Sequence, residues 1–132
     1  MHATGTFDVK MAPADVTEIG KAAGVGRMTI DKVWTGDIQG TSKGEMLTGV
    51  TAETGSMAYT AMERVTATVA GKAGSFYFAH RATMLKAEPS GAVLQCDIVP
   101  GSGTGELAGI TGSLSIDTSG GGHRYELVYQ LP

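Results

Sequence analysis

Apolar and polar residues alternate with a period of two along most of the chain, and glycine-rich segments separate the alternating runs. This alternation is typical of β-strands that bury one face. In the run 75–85, for example, Phe76 and Phe78 fall on one face while Ser75 and Tyr77 fall on the other. The pattern predicts eight strands, over residues 6–11, 26–37, 41–47, 57–69, 75–85, 92–99, 112–117 and 123–131.

The segments between these runs are short and rich in turn-forming residues. Residues 14–26 directly follow Pro13 and contain three glycines, which predicts a loop with at most one short helical turn, capped near Asp15. Residues 70–74 have the length of a hairpin connection. Eight antiparallel segments in chain order predict an all-β fold, a closed up-and-down barrel, because closure removes exposed sheet edges. The length of 132 residues fits a single domain, 1–132.

Composition narrows the classes of partner. The formal net charge is −3, so the chain has no excess of basic residues with which to bind nucleic acid or anionic lipid. Gly accounts for 20 of 132 residues, which is typical of an ordered, turn-rich β protein. A lone Cys96 forms no intrachain disulfide. The sequence shows neither a signal peptide nor an apolar run of membrane-spanning length, which is about 20 residues. We therefore expect a cytoplasmic protein that binds neither nucleic acid nor membrane.

A glycine ladder, residues 101–112, invites a nucleotide-binding interpretation. Gly103 to Ala108 satisfies the G-x-G-x-x-A form of the dinucleotide fingerprint. That fingerprint must open a helix, yet Gly109 and Gly112 would interrupt one, and residues 113–117 have a β-pattern. The ladder instead predicts the tight entry to a strand, with bends where strands cross at a barrel corner.

The ladder also resembles the G-T-G-x-x-x-G-x-x-G strand of allene oxide cyclases and plant dirigent proteins. Five further segments lie along nearly the whole chain, at residues 26–32, 40–46, 62–65, 74–76 and 129–132. They are similar to segments of the DUF3224 family, small bacterial proteins of unknown function. The resemblance implies an eight-stranded barrel of the allene oxide cyclase type without an assigned activity, and analogy with related barrels suggests a homo-oligomer. No motif outside the ladder aligns the functional residues of the cyclases, so none is carried over.

The apolar face of the predicted strands carries three ionisable residues, Lys32, Glu63 and His80. If that face points inward, the short hairpin between strands four and five brings Glu63 and His80 to nearby positions. A carboxylate beside an imidazole in a dry cavity can transfer protons, and Lys32 could stabilise an oxyanion. The predicted ligand-binding wall consists of aromatic residues: Trp34, Tyr59, Phe76, Phe78, Tyr125 and Tyr129.

Three functions remain open on this evidence. The first is an isomerase or cyclase that acts on a small apolar, oxygenated molecule, with Glu63, His80 and Lys32 as catalytic groups and no cofactor. The second is a non-catalytic carrier of a lipophilic ligand. The third is a structural barrel in which the three ionisable residues satisfy one another. A void of roughly 300 Å³ or more would support the first two, and a filled lumen would rule out both. No metal site is expected, because the histidines at 2, 80 and 123 lack ligand spacing.

Overall fold

A computed structural model describes the backbone of residues 1–132 and the side chains of residues 1–87 and 92–132. Eight strands form one closed antiparallel barrel in chain order, and β1 pairs with β8 to complete it. The predicted all-β up-and-down barrel is therefore confirmed. The elements are β1 (His2–Pro13), α1 (Glu18–Ala23), β2 (Gly26–Gly36), β3 (Ile38–Thr51), β4 (Ser56–Val69), β5 (Lys72–Leu85), β6 (Glu88–Ile98), a 3₁₀ turn η1 (Gly105–Leu107), β7 (Thr111–Asp117) and β8 (His123–Gln130).

Several strands are longer than their alternating runs predict. β3 extends from Ile38 to Thr51, and β5 begins at Lys72 because the hairpin before it is only two residues long. Ala70 and Gly71 have φ values of 48° and 83°, the conformation that a tight two-residue hairpin turn requires. The longer ladder keeps β4 and β5 paired from Val69↔Lys72 to Ser56↔Leu85.

The connection between β1 and β2 contains a short helix rather than a turn capped at Asp15. The cap is Thr17, whose side chain accepts a hydrogen bond from the Gly20 amide, and Gly24 ends the helix with a left-handed φ of 70°. The predicted cap position was wrong because Thr17 offers the same capping chemistry two residues later. Within the described residues, no helix has the length and apolarity needed to cross a membrane.

One end of the barrel, called here the closed end, is sealed by the glycine ladder. The sequence predicts bends at a strand crossing there; the structure has instead a loop with the 3₁₀ turn η1, and β7 begins only at Thr111. Thr104 anchors this loop, because its amide donates to the Ser75 carbonyl at 2.8 Å. Leu107 and Ile110 are fully buried in the main core. The ladder thus works as a plug, since its glycines let the loop fold tightly over the core.

The opposite end, called here the open end, is less enclosed. β8 begins opposite Phe7, whereas β1 continues six residues further, to Pro13, paired only with β2. Inward-facing apolar side chains are exposed there: Met11 is 51 %, Val50 62 % and Met57 45 % exposed. The longer strands therefore leave a partly exposed apolar inner face beyond the closed part of the barrel.

We predict that Leu107→Ala lowers the free energy of unfolding by roughly 2–5 kcal/mol, because it opens a cavity beneath the plug. The matched control is Leu47→Ala, at a position that is 53 % exposed on the outer face; a change of within about 0.5 kcal/mol is expected there. Urea unfolding followed by Trp34 fluorescence measures both. Equal losses in the two variants would contradict the role assigned to the ladder.

Candidate functional site

A layer of buried polar side chains crosses the barrel between two apolar clusters. Lys32 (β2), Ser42 (β3), Glu63 (β4) and His80 (β5) all point inward and are all buried. The main core lies on the closed-end side of this polar layer. On the open-end side lies a smaller cluster, which consists of Ile30, Met46 and Ala61 with Val9, Met28 and Tyr59 packed against them.

The carboxylate of Glu63 is the centre of the polar layer. Its Oε1 lies 3.0 Å from Lys32 Nζ and 3.0 Å from His80 Nε2, and its Oε2 accepts a hydrogen bond from Ser42. The expected proximity of Glu63 and His80 is confirmed: Glu63 pairs with Phe78 and His80 with Ala61, so the two side chains are diagonal neighbours on the inner face. Lys32 joins them from β2. Glu63 is only 1 % exposed, so direct contact with a ligand would require it to be uncovered.

A second ring of contacts surrounds this centre. Trp34 Nε1 donates to Ser42 Oγ at 2.9 Å, and the Tyr59 hydroxyl lies 3.0 Å from His80 Nδ1. The Lys32 ammonium lies 4.6 Å from the centre of the Phe7 ring and 5.3 Å from that of Trp34. The two aromatic faces, as well as the Glu63 carboxylate, therefore contact the Lys32 ammonium, and cation–π attraction stabilises its charge. Among the described residues, every buried side-chain nitrogen and oxygen has a hydrogen-bond partner.

Gly44 brings β3 close to β4 beside the carboxylate. It is paired with Glu63, and a Cβ built on Gly44 would lie 2.1 Å from the Met62 carbonyl oxygen and 2.7 Å from the Glu63 Cα. A larger residue would push β3 away from β4. The glycine therefore permits the close approach of β3 to β4 beside which Ser42 reaches Glu63.

The surroundings of Glu63 and Tyr59 shift their pKa values in opposite directions. Burial alone would raise the pKa of Glu63, but the hydrogen bond from His80, the charge of Lys32 and the hydrogen bonds from Ser42 and Lys32 together lower it below its ordinary value of 4.5. Burial raises the pKa of Tyr59 to about 12, and the nearby Cys96 and Glu63 add to the effect. At neutral pH the carboxylate is ionised and the phenol keeps its proton.

The predicted aromatic wall divides between the two sides of the polar layer. Trp34, Phe76, Phe78, Tyr125 and Tyr129 are buried in the main core, and they fill the closed half of the lumen. Tyr125 also closes the barrel by hydrogen bonds, since its hydroxyl lies 2.9 Å from both the Ile38 amide and the Thr35 carbonyl. Tyr59 alone of the six belongs to the open-end cluster and is half-buried.

Sequence reasoning missed Ser42 and the methionines of the open end. Ser42 lies on the inward face of β3, in phase with Ile38 and Met46, and that parity was the available signal; the sequence offers it no nucleophile motif. Five of the seven methionines lie on inward-facing positions of the open end, where Met28 pairs with Met46 and Met57 with Met84. The five, called here the methionine rim, are Met11, Met28, Met46, Met57 and Met84. Flexible, polarisable methionine side chains suit an adaptable apolar surface.

Other parts of the described structure offer less chemistry. A groove of about 740 Å³ crosses the outer face of β2–β6, with Leu47 and Met62 on its floor and an Arg27–Glu45 ion pair at one side. Burial raises the pKa of the Cys96 thiol to about 12, so it remains a protonated, unreactive thiol. No group of three or more metal-ligating side chains occurs among the residues that the structure describes.

We predict that Glu63 makes stability depend on acid pH. Because its folded-state pKa is lowered, its stabilising contribution is complete above 4.5 and is lost as the pH falls through the folded-state value. Glu63→Gln should therefore be less stable than the wild type at pH 7, and the difference should shrink as the pH falls below 4.5.

Urea unfolding at a series of pH values from 7 to 3 measures this difference. Glu126→Gln is the matched control, because Glu126 is half-exposed in a surface contact with His2 and should leave the pH profile unchanged. A difference between Glu63→Gln and the wild type that stays constant with pH would contradict the assignment.

Comparison with known proteins shows to which family the chain belongs. The family model described as "Protein of unknown function (DUF3224)" matches residues 3–129. A crystal structure of a protein of unknown function from Shewanella oneidensis MR-1, itself of this family, is similar with a TM-score of 0.87 and 36 % identity, covering 100 % of this chain and 98 % of that one. No curated protein matches the chain. The protein therefore belongs to the DUF3224 family, whose function is unknown.

Proposed function

We propose that the protein binds a small apolar molecule with one polar oxygen group at the open end of the barrel, where Tyr59 makes the polar contact. The observation that carries the proposal is the position of Tyr59. It is a half-buried phenol within an apolar, methionine-rich wall, and it is hydrogen-bonded at 3.0 Å to His80 of the buried polar layer. Concave apolar surfaces with a few fixed polar groups are the usual form of small-molecule sites.

The open end is a better location for a ligand than the closed half of the lumen. Trp34, Phe76 and Phe78 are at most 2 % exposed, so the space between them is occupied by side chains. The methionine rim, by contrast, leaves apolar surface in contact with water, and covering that surface favours binding. In this proposal the aromatic residues of the closed half pack against the closed-end side of the polar layer, and Tyr59, on its open-end side, contacts the ligand.

Proton-transfer catalysis at the same site is the second candidate. It is favoured by the continuous chain from the Tyr59 hydroxyl through His80 Nδ1 and Nε2 to Glu63. A ligand proton accepted by the Tyr59 oxygen would release the phenol proton to His80 Nδ1, and the Glu63 carboxylate would stabilise the resulting imidazolium. Lys32 would hold Glu63 in place rather than touch the ligand. Carrier and catalyst then differ only in whether this relay is used.

The filled closed half also fits the third alternative, a structural barrel. That alternative accounts for the complete pairing of Lys32, Glu63 and His80. It does not account for the exposed, inward-facing side chains of Met11 and Met57, because a barrel built only for stability would bury them.

We predict that hexan-1-ol binds at the methionine rim. In protein labelled with ¹³C at the methionine methyl groups, titration should shift the signals of Met28, Met46 and Met57 and leave Met1 and Met62 in place. Met62 is a suitable internal control because it is 50 % exposed on the outer face of β4. Shifts confined to Met62, or spread equally over all seven methionines, would contradict the proposed site.

A blocking substitution tests the location independently. Ala82 lies opposite Tyr59 on the inner face, so Ala82→Phe should fill the space beside the phenol and weaken hexan-1-ol binding about tenfold or more. Ala58→Phe places the same side chain on the exposed outer face of β4 and should leave the affinity unchanged. Equal affinities of the two variants would place the probe elsewhere.

A further inference from the structure

The direction of the hydrogen bonds through the polar layer can be followed from Trp34. An indole N–H is a donor only, so Ser42 Oγ accepts a hydrogen bond from Trp34 Nε1. The Ser42 hydroxyl in turn donates its proton to Glu63 Oε2. Glu63 is an acceptor for all its neighbours, because an ionised carboxylate has no proton to give. The chain of bonds therefore has a fixed direction as far as the carboxylate.

The same reasoning continues on the other side of Glu63. Oε1 faces both the Lys32 ammonium and His80 Nε2 at 3.0 Å, so Nε2 must carry a proton. The charges of Lys32 and Glu63 cancel, and a neutral His80 keeps the buried layer free of net charge, which burial strongly favours. A neutral imidazole with its proton on Nε2 has an acceptor at Nδ1.

Tyr59 is therefore the donor in its bond to His80. Its hydroxyl lies 3.0 Å from Nδ1, and its single proton is used in that contact. What remains on the phenol oxygen is acceptor capacity only. Two other inward-facing side chains described at the open end are polar, Thr48 and His123, and His123 is stacked on the Phe7 ring. The remaining ones are apolar: Val9, Met11, Met28, Ile30, Met46, Val50, Met57, Ala61, Ala82, Met84, Ala92 and Leu94.

An acceptor-only ligand would be mismatched at this oxygen. To bind a carbonyl, ether or carboxylate, Tyr59 would have to turn its proton away from His80 and leave the buried Nδ1 without a partner. A carboxylate would in addition bring a charge against the apolar side chains that pack around Tyr59. A ligand that donates a hydrogen bond meets neither penalty.

We propose that the ligand is an uncharged apolar molecule whose polar group is a hydroxyl, and that this hydroxyl donates to the Tyr59 oxygen. The inference rests on the proposed function, because it concerns the chemistry of the molecule held at the methionine rim. It adds a selection rule that the apolar wall alone does not supply: donors are accepted, and acceptor-only groups are rejected.

A pair of isomers isolates this rule. Hexan-1-ol and pentyl methyl ether have the same composition and nearly the same shape, but only the alcohol donates a hydrogen bond. Titrations followed by the methyl signals of Met28, Met46 and Met57 should give an affinity about tenfold higher for the alcohol, the size expected for a buried hydrogen-bond mismatch. Hexanoate should bind more weakly than either isomer.

Tyr59→Phe should reduce the preference to about twofold or less while both isomers still bind, since the apolar wall remains. Tyr77→Phe is the matched control, because Tyr77 is exposed on the outer face of β5, and it should keep the wild-type preference. If Tyr59→Phe does not fold, the alcohol-to-ether ratio of the wild-type protein decides the question alone.

The outcomes separate the inference from the function on which it rests. Equal affinities for the two isomers, or a preference for the ether or for hexanoate, would overturn the hydroxyl rule and leave the binding site standing. If neither isomer moves the methyl signals of the rim, the proposed binding function fails together with the rule. A tenfold preference that survives in Tyr59→Phe would also overturn the rule, because the selection would then come from another group.

Discussion

The structure depends on one buried carboxylate. Glu63 lies inside the barrel with donors from three other strands, namely Lys32, Ser42 and His80. A charged group at that depth is tolerated only when its partners satisfy it, and removing one partner of such a buried pair costs about 3–5 kcal/mol. β2, β3, β4 and β5 must therefore keep the register that brings these side chains together, because a slip of one residue would turn them to the outer face.

This constraint divides the barrel into two regions with different properties. On one side, the aromatic residues of the main core and Leu107 of the glycine ladder fill the lumen, and this cluster contains most of the buried apolar side chains. On the other side, the methionine rim is only partly covered. The polar layer joins them through Tyr59, which packs against the open-end cluster and bonds to His80. A rigid polar layer whose hydrogen-bonding groups are all paired, next to an adaptable apolar surface, is a suitable arrangement for holding a small molecule in a defined orientation.

The period-two pattern was sufficient to predict the barrel and, on the condition that the apolar faces point inward, the meeting of Glu63 with His80, because these follow from alternation and a short hairpin. It could not predict the cap at Thr17 or the ladder's role as a plug, since Leu107 becomes buried only through a non-repetitive loop that packs against β5. Nor could it separate Tyr59 from the other aromatic residues. That distinction depends on which end of the barrel the ladder covers, because Leu107 and Ile110 join the main core and Tyr59 lies in the other cluster.

The protonation state of His80 is the most direct test of the central claim, that a neutral, directionally ordered network presents Tyr59 to the open end. Long-range ¹H–¹⁵N correlation spectra at pH 7 distinguish the ring nitrogens, and the more exposed His2 and His123 serve as internal references. We expect a proton on Nε2 and a bare, hydrogen-bonded Nδ1, with Tyr59→Phe changing the Nδ1 signal. A proton on Nδ1 alone, or on both nitrogens, would contradict the account.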